Sequence, residues 1–179
     1  MAIRSLKTGQ FSRSALVGNP VIMPGSYESI ATVTVGAGGG SSISFTSIPQ
    51  TYSHLQLRIG GTANGADATL QLNGSSNSWC HILRGDGSVA STEQYSIYSL
   101  IDAGNASTSA PGVWVIDILD YTNTNKNKTV RTLFGYDYNG SGRVGMVSNL
   151  FNTTSAITSL SLTGRTWSQY STFALYGVN

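Results

Sequence analysis

Ionic groups are scarce in this chain. Asp, Glu, Lys and Arg together make up 10% of its 179 residues, against about a quarter in an ordinary soluble domain, so hydroxyl and amide groups must keep its surface wet. Cysteine is nearly absent: Cys80 stands alone, which excludes an intrachain disulfide and any zinc site built on several thiolates. Histidine is limited to His54 and His81, so nucleophilic catalysis with an imidazole base would have to use one of these two. There is no apolar run long enough to cross a bilayer. No segment keeps apolar residues at 3.6-residue spacing over three turns, so almost no helix is predicted.

What is present is glycine, 21 residues of it, with abundant Ser, Thr and Asn and short β-branched runs. A chain of this length can bury most of its unfolded surface in a single core. The stretch Tyr27 to Arg58 shows the pattern, with two alternating β-branched runs on either side of Gly36 to Gly40 and a third apolar strand after Pro49. The expected fold is all-β: an antiparallel two-sheet sandwich, jelly-roll-like, over residues 27–179, preceded by an extended N-terminal arm over residues 1–26. Gly9, Gly18, Pro20, Pro24 and Gly25 argue against a helix in that arm.

Charge is unevenly placed. Arg4, Lys7 and Arg13 stand in the first twenty residues without an acid, leaving seven basic against eight acidic groups in the remainder. Three charges fall short of the dense cluster that phosphate binding needs, so a solvated or partner-bound tail is expected and no specific nucleic acid. The arm has no continuous apolar core and reads poorly as a secretion signal, so synthesis in a cytoplasm is expected. The Asn-x-Ser/Thr sequons at Asn73, Asn105, Asn127, Asn139 and Asn152 then mean little.

Strands are predicted near 27–35, 41–47, 53–60, 67–73, 78–84, 93–101, 112–120, 128–138, 143–150, 155–163 and 170–178. Leu55, Leu57 and Ile59 alternate with polar residues and should face a core, as should Leu70 and Leu72. Val113 to Leu119 is apolar on both faces, the pattern of a central strand covered on each side. The glycine-rich stretch 36–40 and the Asn-Gly pairs at 64–65, 73–74 and 139–140 suit hairpin turns.

Candidate reactive groups read as structural. Cys80 and His81 are neighbours on a predicted strand and project to opposite faces, so they cannot form a nucleophile and base pair. Asp117 and Asp120 likewise face opposite sides and cannot flank one glycosidic bond. Asp137 to Gly142 imitates the opening of a calcium loop, but the twelfth position is Ser148 where a bidentate Glu is required. Arg84-Gly85-Asp86-Gly87 contains an integrin-type tripeptide and marks a turn. Aromatics such as Trp79, Tyr95, Trp114, Trp167 and Tyr170 are numerous enough to build a core and leave some exposed for interfaces or sugars. No catalytic residue, metal ligand or cofactor is expected.

Three blocks, IATVTVG with SSISFTSIP and HLQLR (30–58), IDILDYTNTNKNKTVRTLFG (116–135) and YSTFALYGV (170–178), resemble a family of small virion proteins in tailed phages of aquatic bacteria. The resemblance spans about 27–178, with 60–110 less distinctive. It implies a capsid decoration, or cement, protein on the outer capsid surface, made in the host cytoplasm. The implied partners are the major capsid protein and two further copies in a homotrimer, with no membrane. On this reading Arg4, Lys7, Phe11, Arg13, Leu16, Val17, Val21, Ile22 and Met23 form a capsid-binding arm. The alternative within the family is a tail fibre or appendage module that adsorbs to host glycans, and a depolymerase is a third option. The family carries no catalytic motif to transfer.

Overall fold

A computed structural model describes residues 26–64, 67–96, 100–101, 111–137 and 139–179. The nine arm residues named above, together with Tyr98, Asn105 and Tyr138, lie outside the described residues. All regular structure among the described residues is β, in order β1 (Tyr27–Thr34), β2 (Ile43–Phe45), β3 (His54–Gly61), β4 (Ala63–Asn64), β5 (Ala68–Leu72), β6 (Ser78–Gly85), β7 (Ala90–Ser96), β8 (Leu100–Ile101), β9 (Gly112–Leu119), β10 (Lys128–Asp137), β11 (Gly142–Phe151), β12 (Leu160–Thr163), β13 (Thr166–Trp167) and β14 (Thr172–Val178). Every pairing is antiparallel, and no helix long and apolar enough to cross a membrane occurs among the described residues.

Eight strands form one large sheet in the order β1-β14-β3-β9-β10-β11-β6-β7. A four-stranded sheet, β2-β12-β5-β8, and the short pair β13-β4 complete the set. Period-two alternation decides the faces. Leu55, Leu57 and Ile59 of β3 and Leu70 and Leu72 of β5 are buried as predicted, and residues of both sheets join one apolar cluster. Trp114, Trp167 and Phe173 lie in that cluster, Trp167 meeting the other two edge to face with ring centroids 5.6 and 4.9 Å apart. Gly112 lies under the Trp114 ring and Gly177 under the Tyr52 ring, so a Cβ at either position would run into an aromatic face.

Four details depart from the expectation. The glycine-rich stretch 36–40 is not a hairpin, since β1 pairs with β14 in the large sheet while β2 pairs with β12 in the small one. It carries the chain between sheets: Gly38 and Gly39 have positive φ of 93° and 82°, and Gly40 exchanges backbone hydrogen bonds with Trp167. The Asn73-Gly74 pair does form a two-residue hairpin turn, with φ of 50° and 78° and Leu72 and Ser75 exchanging backbone hydrogen bonds at 2.9 and 3.0 Å, but the strands on either side, β5 and β6, belong to different sheets. The strand predicted over 155–163 is confined to Leu160–Thr163, because the Asn73 side chain takes the N–H groups of Thr158 and Ser159 at 2.9 and 3.2 Å, a local competitor for the ladder. Finally, β9 is central in the large sheet but covered on one face, with Val113 59% exposed on the other.

One corner is closed by a cation. Lys128, at the start of β10, is fully buried, and its Nζ donates to the backbone carbonyls of Asn123, Lys126 and Thr154, the last two at 3.0 and 3.1 Å. Burial pushes its ammonium below the usual lysine value, with neighbouring Lys126 adding to the shift and Asp120 opposing it.

Candidate functional site

Most of the groups with reactive potential are engaged within the fold, and they do not converge on one site. Cys80 is fully buried on the inward side of β6, and His81 is exposed on the outward side, so they stand on opposite faces as expected. The Nδ1 of His54 accepts the Asp120 backbone N–H at 2.9 Å. Asp117 accepts from the Gln56 amide at 2.8 Å on the outer face of the large sheet. Asp120 lies beyond the end of β9, in a residue of positive φ (48°), and pairs with Lys126, which holds its carboxyl below the ordinary value. The two carboxylates therefore do not converge.

The calcium-like segment is a hairpin tip. Asp137 accepts the Gly140 N–H at 3.0 Å, and Asn139 and Gly140 take positive φ of 63° and 103° between β10 and β11. Among the described residues no group of three or more His, Cys, Asp or Glu side chains is placed to hold a metal ion. In the integrin-type tripeptide Arg84 is paired with Glu93 across the β6-β7 hairpin. Its Asp86 caps its own turn by accepting the Val89 and Ser88 N–H groups, both at 2.8 Å, and these bonds hold its pKa low. Both charges that an adhesion loop would present are thus engaged within the hairpin.

Aromatics divide as the composition suggested. Trp114, Tyr121, Phe134, Tyr136, Trp167 and Phe173 are buried, while Trp79, Tyr95 and Tyr170 are exposed. Several depressions are lined by described residues. One of about 590 Å³ lies between the β6-β7 and β10-β11 hairpin tips, lined by Asp86, Asp137 and Arg143 with several glycines. Another of about 530 Å³ is a polar corner around Tyr52, Asp120 and Asn123. A third, of about 560 Å³, opens on the large sheet, where His81, Leu83, Thr92, Arg131, Met146 and Ser148 line it.

That third depression belongs to the most unusual surface of the molecule. The outward residues of the large sheet line up in cross-strand rows. One row runs Leu83, Met146, Leu133, Val115 and Arg58 across β6, β11, β10, β9 and β3. The next runs Gly85, Val144, Gly135, Val113 and Gly60 across the same strands. On the far side of the first, His81, Ser148, Arg131, Asp117 and Gln56 form a polar row, and beyond it Trp79 faces Leu150. Leu83, Met146, Leu133, Val113 and Val144 are 51%, 51%, 57%, 59% and 63% exposed. Scattered single leucines on a surface are ordinary, whereas apolar residues contiguous over several strands mark an interaction site.

The same face ends differently at β3 and β14. There the Arg58 guanidinium lies 4.9 Å from the Tyr27 ring centroid and 4.7 Å from that of Tyr176, and its Nε donates to Gln56 at 2.7 Å. Gln56 in turn donates to Asp117, so the edge toward β1 is closed by its own side chains. The open apolar part spans β9, β10, β11 and β6.

Comparison of the chain with family models, with curated proteins and with solved structures gives no match. Sequence reasoning passed over the open face because it took the doubly apolar β9 as evidence of cover on both sides. The signal was present in Val113, Val115, Leu133 and Val144, which are all apolar at outward positions.

Proposed function

We propose that this chain is a structural subunit of a virion, a capsid decoration protein that works by binding surfaces and performs no reaction. In this reading its two sheets are the layers of a jelly-roll-like β-sandwich, and the arm over residues 1–26 reaches across capsid subunits. The single observation that supports a binding role is the contiguous apolar outer face of the large sheet, which water alone gives no reason to keep. The virion setting comes from the resemblance of the blocks at 30–58, 116–135 and 170–178. A glycan-adsorbing appendage has less in its favour, because Trp79, Tyr95 and Tyr170 are exposed but line none of the three depressions described.

Co-sedimentation with shells of the major capsid protein tests the reading. The full chain is expected to pellet with shells, and deletion of residues 1–25 to abolish pelleting while the β-domain stays folded by circular dichroism. A chain found in a particle map on the tail, or absent from the particle, would refute it.

A further inference from the structure

Glycine costs stability in a strand unless something requires it, because it forfeits both packing and conformational restriction. At Gly61, Gly112, Gly142, Gly145 and Gly177 the requirement is internal, since a Cβ built there comes within 3.0 Å of backbone, a ring or a neighbouring side chain. Gly60, Gly85 and Gly135 have no such reason. Their φ values are not positive, and a Cβ at each would meet no atom closer than 3.7, 3.9 and 3.8 Å. These three sit in one cross-strand row on the outer face, alternating with the exposed Val144 and Val113. The row reads glycine, valine, glycine, valine, glycine: holes and knobs in regular turn.

Such a row fits itself. A two-fold axis parallel to the strands and midway between β10 and β11 sets β10 over the partner's β11 and β9 over its β6. It seats Val144 on the second copy's Gly135 and Val113 on its Gly85, with both contacts repeated by symmetry. The neighbouring row then places Leu133 against Met146 and Val115 against Leu83. In the polar row Asp117 comes over His81, and Arg131 over Ser148. Farther out, Arg58 and Gln56 of β3 fall over Thr92 and Gln94 of β7, a polar rim around an apolar centre. No apolar knob meets a charge of the other copy in this arrangement.

We propose that the outer face of the large sheet binds a second copy of this chain in a face-to-face, two-fold dimer centred on β10 and β11, with Val144 and Val113 seated in the Gly135 and Gly85 depressions. The inference rests on the reading of this face as an assembly surface, and it replaces the three-fold association that the resemblance implies. Size supports it. Six strands at about 4.8 Å and eight residues at about 3.4 Å give a face of roughly 800 Å² per copy, the amount a standard stable interface buries. Two stacked sheets cross at about 30°, so the fit is closest near the axis and loosens at the corners.

The test is the oligomeric state of the full chain, by light scattering and sedimentation equilibrium, with three variants. Wild type is expected at twice the mass of one chain at micromolar concentration. Gly135→Val fills a hole at a position where the single subunit leaves room for a Cβ, so it should weaken dimerisation roughly tenfold or more while leaving the urea midpoint of the diluted, monomeric subunit unchanged or raised. Val144→Lys should weaken it similarly. Combining Gly135→Val with Val144→Gly exchanges hole and knob and should restore the dimer, which a merely structural role of Gly135 does not foresee. A wild type that stays monomeric, or a dimer indifferent to Gly135→Val, overturns the inference. If wild type is monomeric but Gly135→Val abolishes pelleting with capsid shells, the face belongs to the shell subunit; the dimer falls and the proposed function stands. If a dimer appears on deleting residues 1–25 alone, the chain's own leading segment is the native occupant, and the inference falls as well.

Discussion

The two sheets follow the same alternation yet treat their outer faces in opposite ways. On the four-stranded sheet the outward residues of β2, β5 and β12 are Ser44, Thr69, Gln71, Ser161 and Thr163, all polar, and Ser161 donates to Gln71 at 3.0 Å across the strands. On the eight-stranded sheet the outward residues of β9, β10, β11 and β6 include Val113, Leu133, Val144, Met146 and Leu83. Both faces are built by one chain, so general composition does not explain the contrast. The difference teaches that position along the sheets, rather than overall hydrophobicity, separates a polar outer face from an apolar one. Hydroxyls and amides meet water on the small sheet, whereas the large one leaves apolar side chains open to it.

The contrast breaks most visibly at the inward side. Leu57→Ala on β3, a fully buried position, is expected to lower unfolding free energy by about 2–5 kcal/mol. Leu133→Ala on the outward side of β10 should cost the isolated subunit less than about 1 kcal/mol by urea denaturation. Equal losses would mean that the outer face is part of the core. Glycines sharpen the point with a change of sign: Gly112→Ala forces the buried Trp114 ring to move and should destabilise by about 1–3 kcal/mol. Gly60→Ala has room for its methyl group and should stabilise by about 0.4–1 kcal/mol, read from the thermal midpoint.

Making the small sheet resemble the large one is a gentler intervention. Ser161→Leu with Gln71→Leu should change folding stability by no more than about 1 kcal/mol but increase hydrophobic-dye binding and self-association. Leu133→Lys with Met146→Lys should do the reverse. Acid has the smallest expected effect. Asp86 and Asp120 have folded pKa values below the ordinary 3.8, so the unfolded chain takes up their protons first. Their contribution is present above pH 3.8 and is lost as pH falls through their depressed folded values. Asp86→Asn should flatten that part of a stability-against-pH curve, with the effect at Asp120 reduced by added salt.

Much of the architecture was legible because period-two alternation is a strong local signal. Leu55, Leu57, Ile59, Leu70 and Leu72 pointed inward as their spacing required, and Cys80 and His81 parted to opposite faces. What could not be read was which strands share a sheet. Gly36 to Gly40 looked like a hairpin because a turn's chemistry is local, whereas the decision to cross between sheets depends on Trp167, more than a hundred residues away. The Asn73 side chain, which ends a predicted strand by capturing two N–H groups, resembled any other loop asparagine until its partners at 158 and 159 were in place. The open face escaped for a different reason: sequence shows where apolar residues point but not what covers them.

Lys128 has a consequence of its own. Loops that wrap three carbonyl oxygens around a positive centre often depend on a calcium or sodium ion drawn from the medium, and their shape then varies with ionic supply. Here the positive centre is tethered to the strand that the loop precedes. Neither dilution nor a chelator can strip it out, so this corner should keep its form in whatever salt the protein meets.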